Sequence, residues 1–74
     1  PVSFNVQTIK LAINQLPEGY RTIFCLYILE GYDHSEIAQI LGITESTSKS
    51  QYSRAKAKLC QILRENGSIN LIYQ

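Results

Sequence analysis

The chain has 74 residues, seven Lys and Arg against six Asp and Glu, and few Gly or Pro. That size admits one domain with a modest core, and the aliphatic, unrepetitive composition excludes a disordered or repeat protein. No apolar run reaches the roughly 20 residues that cross a bilayer, and Pro1 to Lys10 lacks a basic-then-apolar leader. A cytoplasmic protein without membrane insertion is expected, and because the chain opens on Pro1 rather than Met, it is expected to be part of a longer one.

Four helices are predicted, at about residues 3–15, 18–30, 34–41 and 45–65, followed by a tail at 67–74. Ser3 is a plausible N-cap of the first. At 100° per residue Val2, Val6, Ile9, Ala12, Ile13 and Leu16 share one face and are expected in the core, while Phe4 and Leu11 point elsewhere and are expected at the surface. Leu16-Pro17 ends this helix and starts the next, since Pro at the first helical position loses no hydrogen bond. The second helix carries Tyr20, Ile23, Phe24 and Tyr27 on one side and Cys25, Leu26 and Leu29 on others. Apolar nearly all round, it is expected to be the most buried. Gly31 ends it in a left-handed conformation.

Asp33 and Glu36 stand at N-cap and N3 spacing, a capping box that opens the third helix, whose core face is Ile37, Ile40 and Leu41. Ala38 allows close approach of the following helix, Gly42 supplies a positive φ, Ile43 plugs the turn and Thr44 caps the fourth helix. Two helices joined by a short Gly-containing turn are a helix-turn-helix. The whole is an all-α four-helix domain with that motif at its C-terminal end.

Charge is divided along the chain rather than balanced. Through Ser48 there are two bases against five acids, whereas Lys49 to Arg64 holds five bases and no acid. On the fourth helix Ser48, Tyr52, Ala55, Leu59, Ile62 and Leu63 fall within about 100° and face the core. Opposite them lie Ser46, Ser50, Ser53, Arg54, Gln61 and Arg64, flanked by Lys49 and Lys56 on one side and Thr47, Gln51 and Lys58 on the other. Small serines beside Arg, Lys and Gln let a helix lie deep in a major groove. There Arg and Lys match guanine O6 and N7, and Gln matches adenine N6 and N7. The N-terminal part of the second motif helix enters the groove, so Thr47, Lys49, Ser50, Gln51 and Arg54 are the candidates for base and nearby phosphate contacts, with Ser46 and Ser53 beside them. Lys56 and Lys58 are expected at phosphate or in solvent. Tyr32, His34 and Ser35, at the positive end of the third helix, are candidate phosphate contacts.

Asp33-His34-Ser35 contains the three residue types of a hydrolytic triad, but neighbours at a helix start diverge, so no enzyme is expected. Cys25 and Cys60 form no CxxC pair and there is no second His. No metal, cofactor or disulfide is expected, and both thiols are expected to be reduced and packed.

The run Leu16-Pro17-Glu18-Gly19-Tyr20-Arg21-Thr22-Ile23-Phe24, then Glu30-Gly31-Tyr32, Glu36-Ile37-Ala38, Leu41-Gly42-Ile43, Thr47-Ser48-Lys49-Ser50 and Ser53-Arg54-Ala55 with Leu59, resembles region 4 of bacterial extracytoplasmic-function sigma factors. Glu-Ile-Ala with Leu-Gly-Ile is common to many helix-turn-helix families. The Leu-Pro-x-x-Tyr-Arg opening, at its distance from Thr-x-Lys-Ser and Ser-Arg-Ala, is more particular. The resemblance covers Leu16 to about Leu63. It implies a winged-helix-like fold without a wing, binding to the minus-35 promoter element, docking on the β flap of core RNA polymerase and masking by an anti-sigma factor. It also implies DNA contacts at Lys49, Ser50 and Arg54. Ser48 departs from the family's frequent Val, lightening the core under the recognition helix, and Gln51 departs from its frequent Arg, leaving base preference open. The quorum-sensing type of response-regulator domain shares Glu-Ile-Ala but opens on Leu-Thr-x-Arg-Glu, which Leu16-Pro17 with Tyr20-Arg21 fits poorly. A domain acting mainly in protein interaction is the other alternative, and the apolar tail with Ile69, Leu71, Ile72 and Tyr73 is expected to pack on the domain or on a partner.

With about four or five bases available for phosphate, the affinity for duplex DNA is expected to fall with salt at a log–log slope near −4 or shallower. Titrations at two salt concentrations measure it.

Overall fold

The computed structural model describes residues 6–65. Helix α1 spans Val6–Asn14, α2 spans Glu18–Phe24 and runs on as a π-helical segment Cys25–Leu29, α3 spans His34–Leu41 and α4 spans Glu45–Glu65. No strand occurs among the described residues. The expected four helices are present. Ser3, Val2, Phe4 and the tail at 67–74 lie outside the described residues.

The corner between α1 and α2 is made by Leu16, which is buried, and Pro17, which stands one residue before its expected place: with φ −52° and ψ 148° it is the N-cap of α2, and Glu18 is the first helical residue. Arg21 fastens it by donating from Nη1 to the carbonyl of Asn14, the last residue of α1, at 3.2 Å. A cation on the last carbonyls of a helix also opposes its dipole. The Tyr-Arg pair of the sequence motif is thereby explained: Tyr20 packs against the core while Arg21 ties two helices together.

After Phe24 the turn widens, and the Glu30 amide bonds back five residues to the Cys25 carbonyl at 3.0 Å. This break in the expected uninterrupted helix leaves the segment less buried than its composition implied: Ile23 and Phe24 are buried, but Ile28 and Leu29 are exposed. The chain then reverses at Gly31, φ +79°.

Asp33 opens α3 with both halves of the capping box. Its carboxylate accepts the Glu36 amide at 2.8 Å, and the Glu36 carboxylate accepts the Asp33 amide at 3.0 Å. Gly42 closes α3 at φ +69°, and the Ile43 amide returns to the Ala38 carbonyl at 3.0 Å, the Schellman closure that needs a left-handed residue between its ends. α3 buries one side chain, Ile37. Ile40 and Leu41, expected in the core, are exposed, because an eight-residue helix laid on the outside of α4 has room to cover only its central contact.

The core lies between the C-terminal half of α4 and the first two helices: Ala12, Ile13, Leu16, Phe24, Ala55, Leu59, Ile62 and Leu63 form one cluster, with Ile9, Tyr20, Cys25 and Tyr52 against its edge. α4 contacts α1, α2 and α3, so it, rather than α2, is the central helix. Val6, expected on the core face of α1, is exposed. Its direction was read from the helical period, but the packed stretch of α1 begins at Ile9. Leu11 is exposed as expected. Cys60, expected to be packed, is exposed, and Cys25 is half-buried; both are free.

Two glycines separate backbone effects from packing, because a Cβ at either Gly19 or Gly42 meets no atom within 4 Å. Gly42→Ala is expected to destabilise by about 1–2 kcal/mol through its positive φ alone. Gly19→Ala, inside α2, is expected to stabilise by roughly 0.5–1 kcal/mol. Urea unfolding of both variants measures the two signs.

Candidate nucleic-acid interface

Thr44 sets where α4 begins. Its hydroxyl accepts the Thr47 amide at 3.0 Å and donates to the Thr47 hydroxyl at 2.8 Å. One orphan amide of the helix end is thereby satisfied, and the Thr47 side chain is held at the rim of the first turn.

The rotation of α4 about its axis is fixed by what it buries. Ser48 and Ala55 have no exposed surface, and Leu59, Ile62 and Leu63 are nearly as enclosed. Tyr52, placed by the period on the same arc, is only half-buried. On the far side Ser46, Thr47, Lys49, Ser50, Ser53 and Arg54 are all exposed, Gln51 and Lys58 are half-buried, and Ser35 is exposed on α3. Ser46, Thr47, Lys49, Ser50, Ser53 and Arg54 therefore share the exposed side of the N-terminal half of the helix with Gln51 at its edge, while Lys58 lies in the C-terminal half. Side chains as short as serine alternate there with Lys49 and Arg54, which leaves the helix backbone close to any surface it meets.

His34 is the candidate that departs from its expected place. Instead of facing outward as a phosphate contact, its ring is half-buried, stacked on Tyr27 with centroids 4.6 Å apart, and its Nδ1 shares a hydrogen bond of 2.8 Å with Ser48 Oγ. The cause is Ser48. A hydroxyl with no exposed surface needs a partner, and the first residue of α3 supplies it across the turn. Ser48 is thus a polar joint between the two motif helices rather than a lightened core position. Among the described residues no buried side-chain nitrogen or oxygen lacks a partner.

This joint is packed by aromatic rings. Tyr52 lies 4.4 Å from Tyr27 and 6.0 Å from Phe24, and Lys56 Nζ sits 5.0 Å from the centre of the Tyr52 ring. Burial, and then the neighbouring Tyr27 phenol, push the Tyr52 phenol above its ordinary pKa. Lys56, expected at phosphate or in solvent, thus has a cation–π partner that steadies its stem. The ring cluster was missed in the sequence because its members come from three separate segments, although Tyr52 stood on a predicted inner face and Tyr27 on one side of a helix read as apolar nearly all round.

Two further features adjoin the outward surface. Glu45 Oε2 lies 3.5 Å from Lys49 Nζ one turn along; Glu45 was not among the sequence-predicted site residues. A groove of about 490 Å³ runs between the start of α2 and the start of α4, with Ile23, Leu41 and Ile43 as its apolar lining and Thr47 and Gln51 on its α4 side. Among the described residues no group of His, Cys, Asp and Glu is placed to hold a metal, and no helix is long and apolar enough to cross a membrane.

The fold and this surface define a helix-turn-helix domain with one polar, basic helix face left open. The family described as sigma-70, region 4 matches residues 7–59, and the chain belongs to that family, a DNA-binding regulatory one. Its relatives include RNA polymerase sigma factor SigZ of Bacillus subtilis, 38% identical over 55 residues that cover 74% of this chain and 31% of SigZ. The ECF RNA polymerase sigma factor SigM of Mycobacterium tuberculosis is 33% identical over 55 residues, 74% of this chain and 28% of SigM. The chain therefore spans less than a third of the length of these relatives. The matched segment includes both the Leu16 to Arg21 corner and α4 as far as Leu59.

The His34 and Ser48 side chains are expected to act as a unit. His34→Ala or Ser48→Ala should each cost about 1–3 kcal/mol, because either leaves a buried or half-buried partner unsatisfied. The double variant should cost less than the sum. Denaturant unfolding of the four proteins in the cycle measures the coupling.

Proposed function

We propose that this chain is a single domain that binds the minus-35 promoter element within a sigma factor of the extracytoplasmic-function group, and so takes part in directing transcription initiation. The observation that carries the reading is the division of α4: one arc is locked into the core by Ser48, Ala55, Leu59, Ile62 and Leu63, while the opposite arc exposes Ser46, Ser50 and Ser53 around Lys49 and Arg54. The chain's family supplies the promoter as the duplex concerned.

In this reading α4 enters the major groove by its first half. Arg54 and Lys49 are the donors for guanine, and Gln51 is the residue for adenine. Thr47, Ser46, Ser50 and Ser53 make close contacts to base edges and phosphate, and Ser35, at the N-terminal end of α3, meets phosphate. Lys58 adds charge without sequence information. His34 acts from behind: it fixes Ser48, and through it the setting of α4 on α3, so its contribution to binding is positional.

The partners follow from the same reading. The domain works with core RNA polymerase in the cytoplasm, docks on the β flap, and is open to masking by an anti-sigma factor. Leu11, Ile28 and Leu29, each exposed on α1 or the π-helical segment, supply apolar side chains for such protein contacts. No catalytic step is assigned to any residue.

Arg54→Ala is expected to weaken binding to a promoter duplex by about 1–3 kcal/mol and to leave a scrambled duplex nearly unaffected, whereas Lys58→Ala should weaken both slightly and equally. Fluorescence anisotropy with the two duplexes distinguishes them. Equal losses on both duplexes for both variants would contradict the assignment.

A further inference from the structure

Glu45 is the first residue of α4, and it places a carboxylate beside the helix face proposed to meet DNA. It lies 3.5 Å from the Lys49 ammonium, and both side chains are more than half exposed. Exposed pairs of this kind contribute little to folding, and a carboxylate in the first turn adds a modest interaction with the helix dipole. Its effect on an approaching duplex is larger. The first two turns of α4 contain one base and one acid, and thus no net charge; Arg54, Lys56 and Lys58 come later along the helix.

A carboxylate brought into a groove walled by phosphates is repelled unless it finds a donor there. In the major groove the donor matched to Glu is the cytosine N4 amine, while Lys pairs with guanine O6 and N7. Residues four apart on a helix have Cβ atoms about 5–6 Å apart, and successive bases rise about 3.4 Å, so the two heads can reach neighbouring base pairs together.

Resting on the DNA-binding reading above, we propose that Glu45 is a specificity-determining residue that accepts from a cytosine N4 amine while Lys49 engages a nearby guanine. On any other sequence the carboxylate opposes binding and holds Lys49 back from phosphate. Glu45 thus lowers affinity for unspecific DNA as well as selecting one base.

The test is selection from a randomised duplex pool with the 74-residue chain, followed by affinity measurement on the selected and unselected pools. Wild type is expected to enrich a motif with a cytosine at one position. Glu45→Gln should lose that cytosine in favour of adenine, which Gln matches, keep the remaining positions, and bind the unselected pool several-fold more tightly. Glu45→Ala should lose the cytosine without gaining another base. Retention of the other positions shows that the helix is intact. An unchanged motif and unchanged affinity for the unselected pool in both variants would overturn the assignment. Failure of wild type to enrich any motif would overturn the DNA-binding reading itself, and this assignment with it.

Discussion

The constraint on which the rest depends is the burial of one arc of α4. A 21-residue helix is about 31 Å long, enough to serve two purposes along its length. Its C-terminal half, through Leu59, Ile62 and Leu63, completes the core with Ala12, Ile13 and Leu16 of the first helix and the corner after it. Its N-terminal half has less apolar surface to bury, and there Ser48 and Ala55 allow close contact with the helices behind. Since a helix cannot turn one half without the other, packing at Leu59 to Leu63 dictates which side chains face outward at Ser46 to Arg54. Core and interface are one rigid element, and changes in one are transmitted to the other.

The joint between α3 and α4 adds what apolar packing alone does not. Van der Waals contact between two helices tolerates small rotations at modest cost, whereas the hydrogen bond between His34 and Ser48 is directional. The rings of Tyr27 and Tyr52, stacked and tilted against the imidazole, limit how far it can move. With the Gly42 turn on one side and this joint on the other, the crossing of the two motif helices is held at two points. A buried polar pair gives up some apolar stabilisation in exchange for a defined geometry. The proposed work of this domain, presenting short side chains to base edges, depends on geometry to within a fraction of a bond length.

Much of this was legible in the sequence, for reasons that can be separated. The capping box at Asp33, the left-handed Gly31 and Gly42, and the Thr44 cap were readable because each is local chemistry involving residues at most a few positions apart. The two faces of α4 were readable because its inward positions hold one period from Ser48 to Leu63, about four turns. The His34–Ser48 joint was not, since its partners are 14 residues apart and nothing in a helical wheel says which inward-facing serine meets which side chain. The widened turn after Phe24 was hidden for another reason: a segment apolar on all sides gives the period nothing to measure. Val6, Ile40 and Leu41 show the complementary limit, because a wheel gives a direction but not whether a neighbour is present along it. The basic stripe was visible from counting charges, whereas the Glu45–Lys49 pair that offsets part of it stands at the i, i+4 spacing of helix ion pairs, a signal that a charge count passes over.

The claim that joins these parts is that DNA meets the outer face of the N-terminal half of α4, with the start of α3 beside it, and meets neither α1 nor the Cys25–Leu29 segment. Backbone amide shifts of the isotopically labelled chain, followed by NMR as a selected duplex is added, test it directly. The account predicts that the largest changes fall on Ser35 and on Ser46 to Arg54, with the amides of α1 and of Cys25–Leu29 almost unmoved. Changes concentrated at Leu11, Ile28 and Leu29, with Ser46 to Arg54 unaffected, would contradict it.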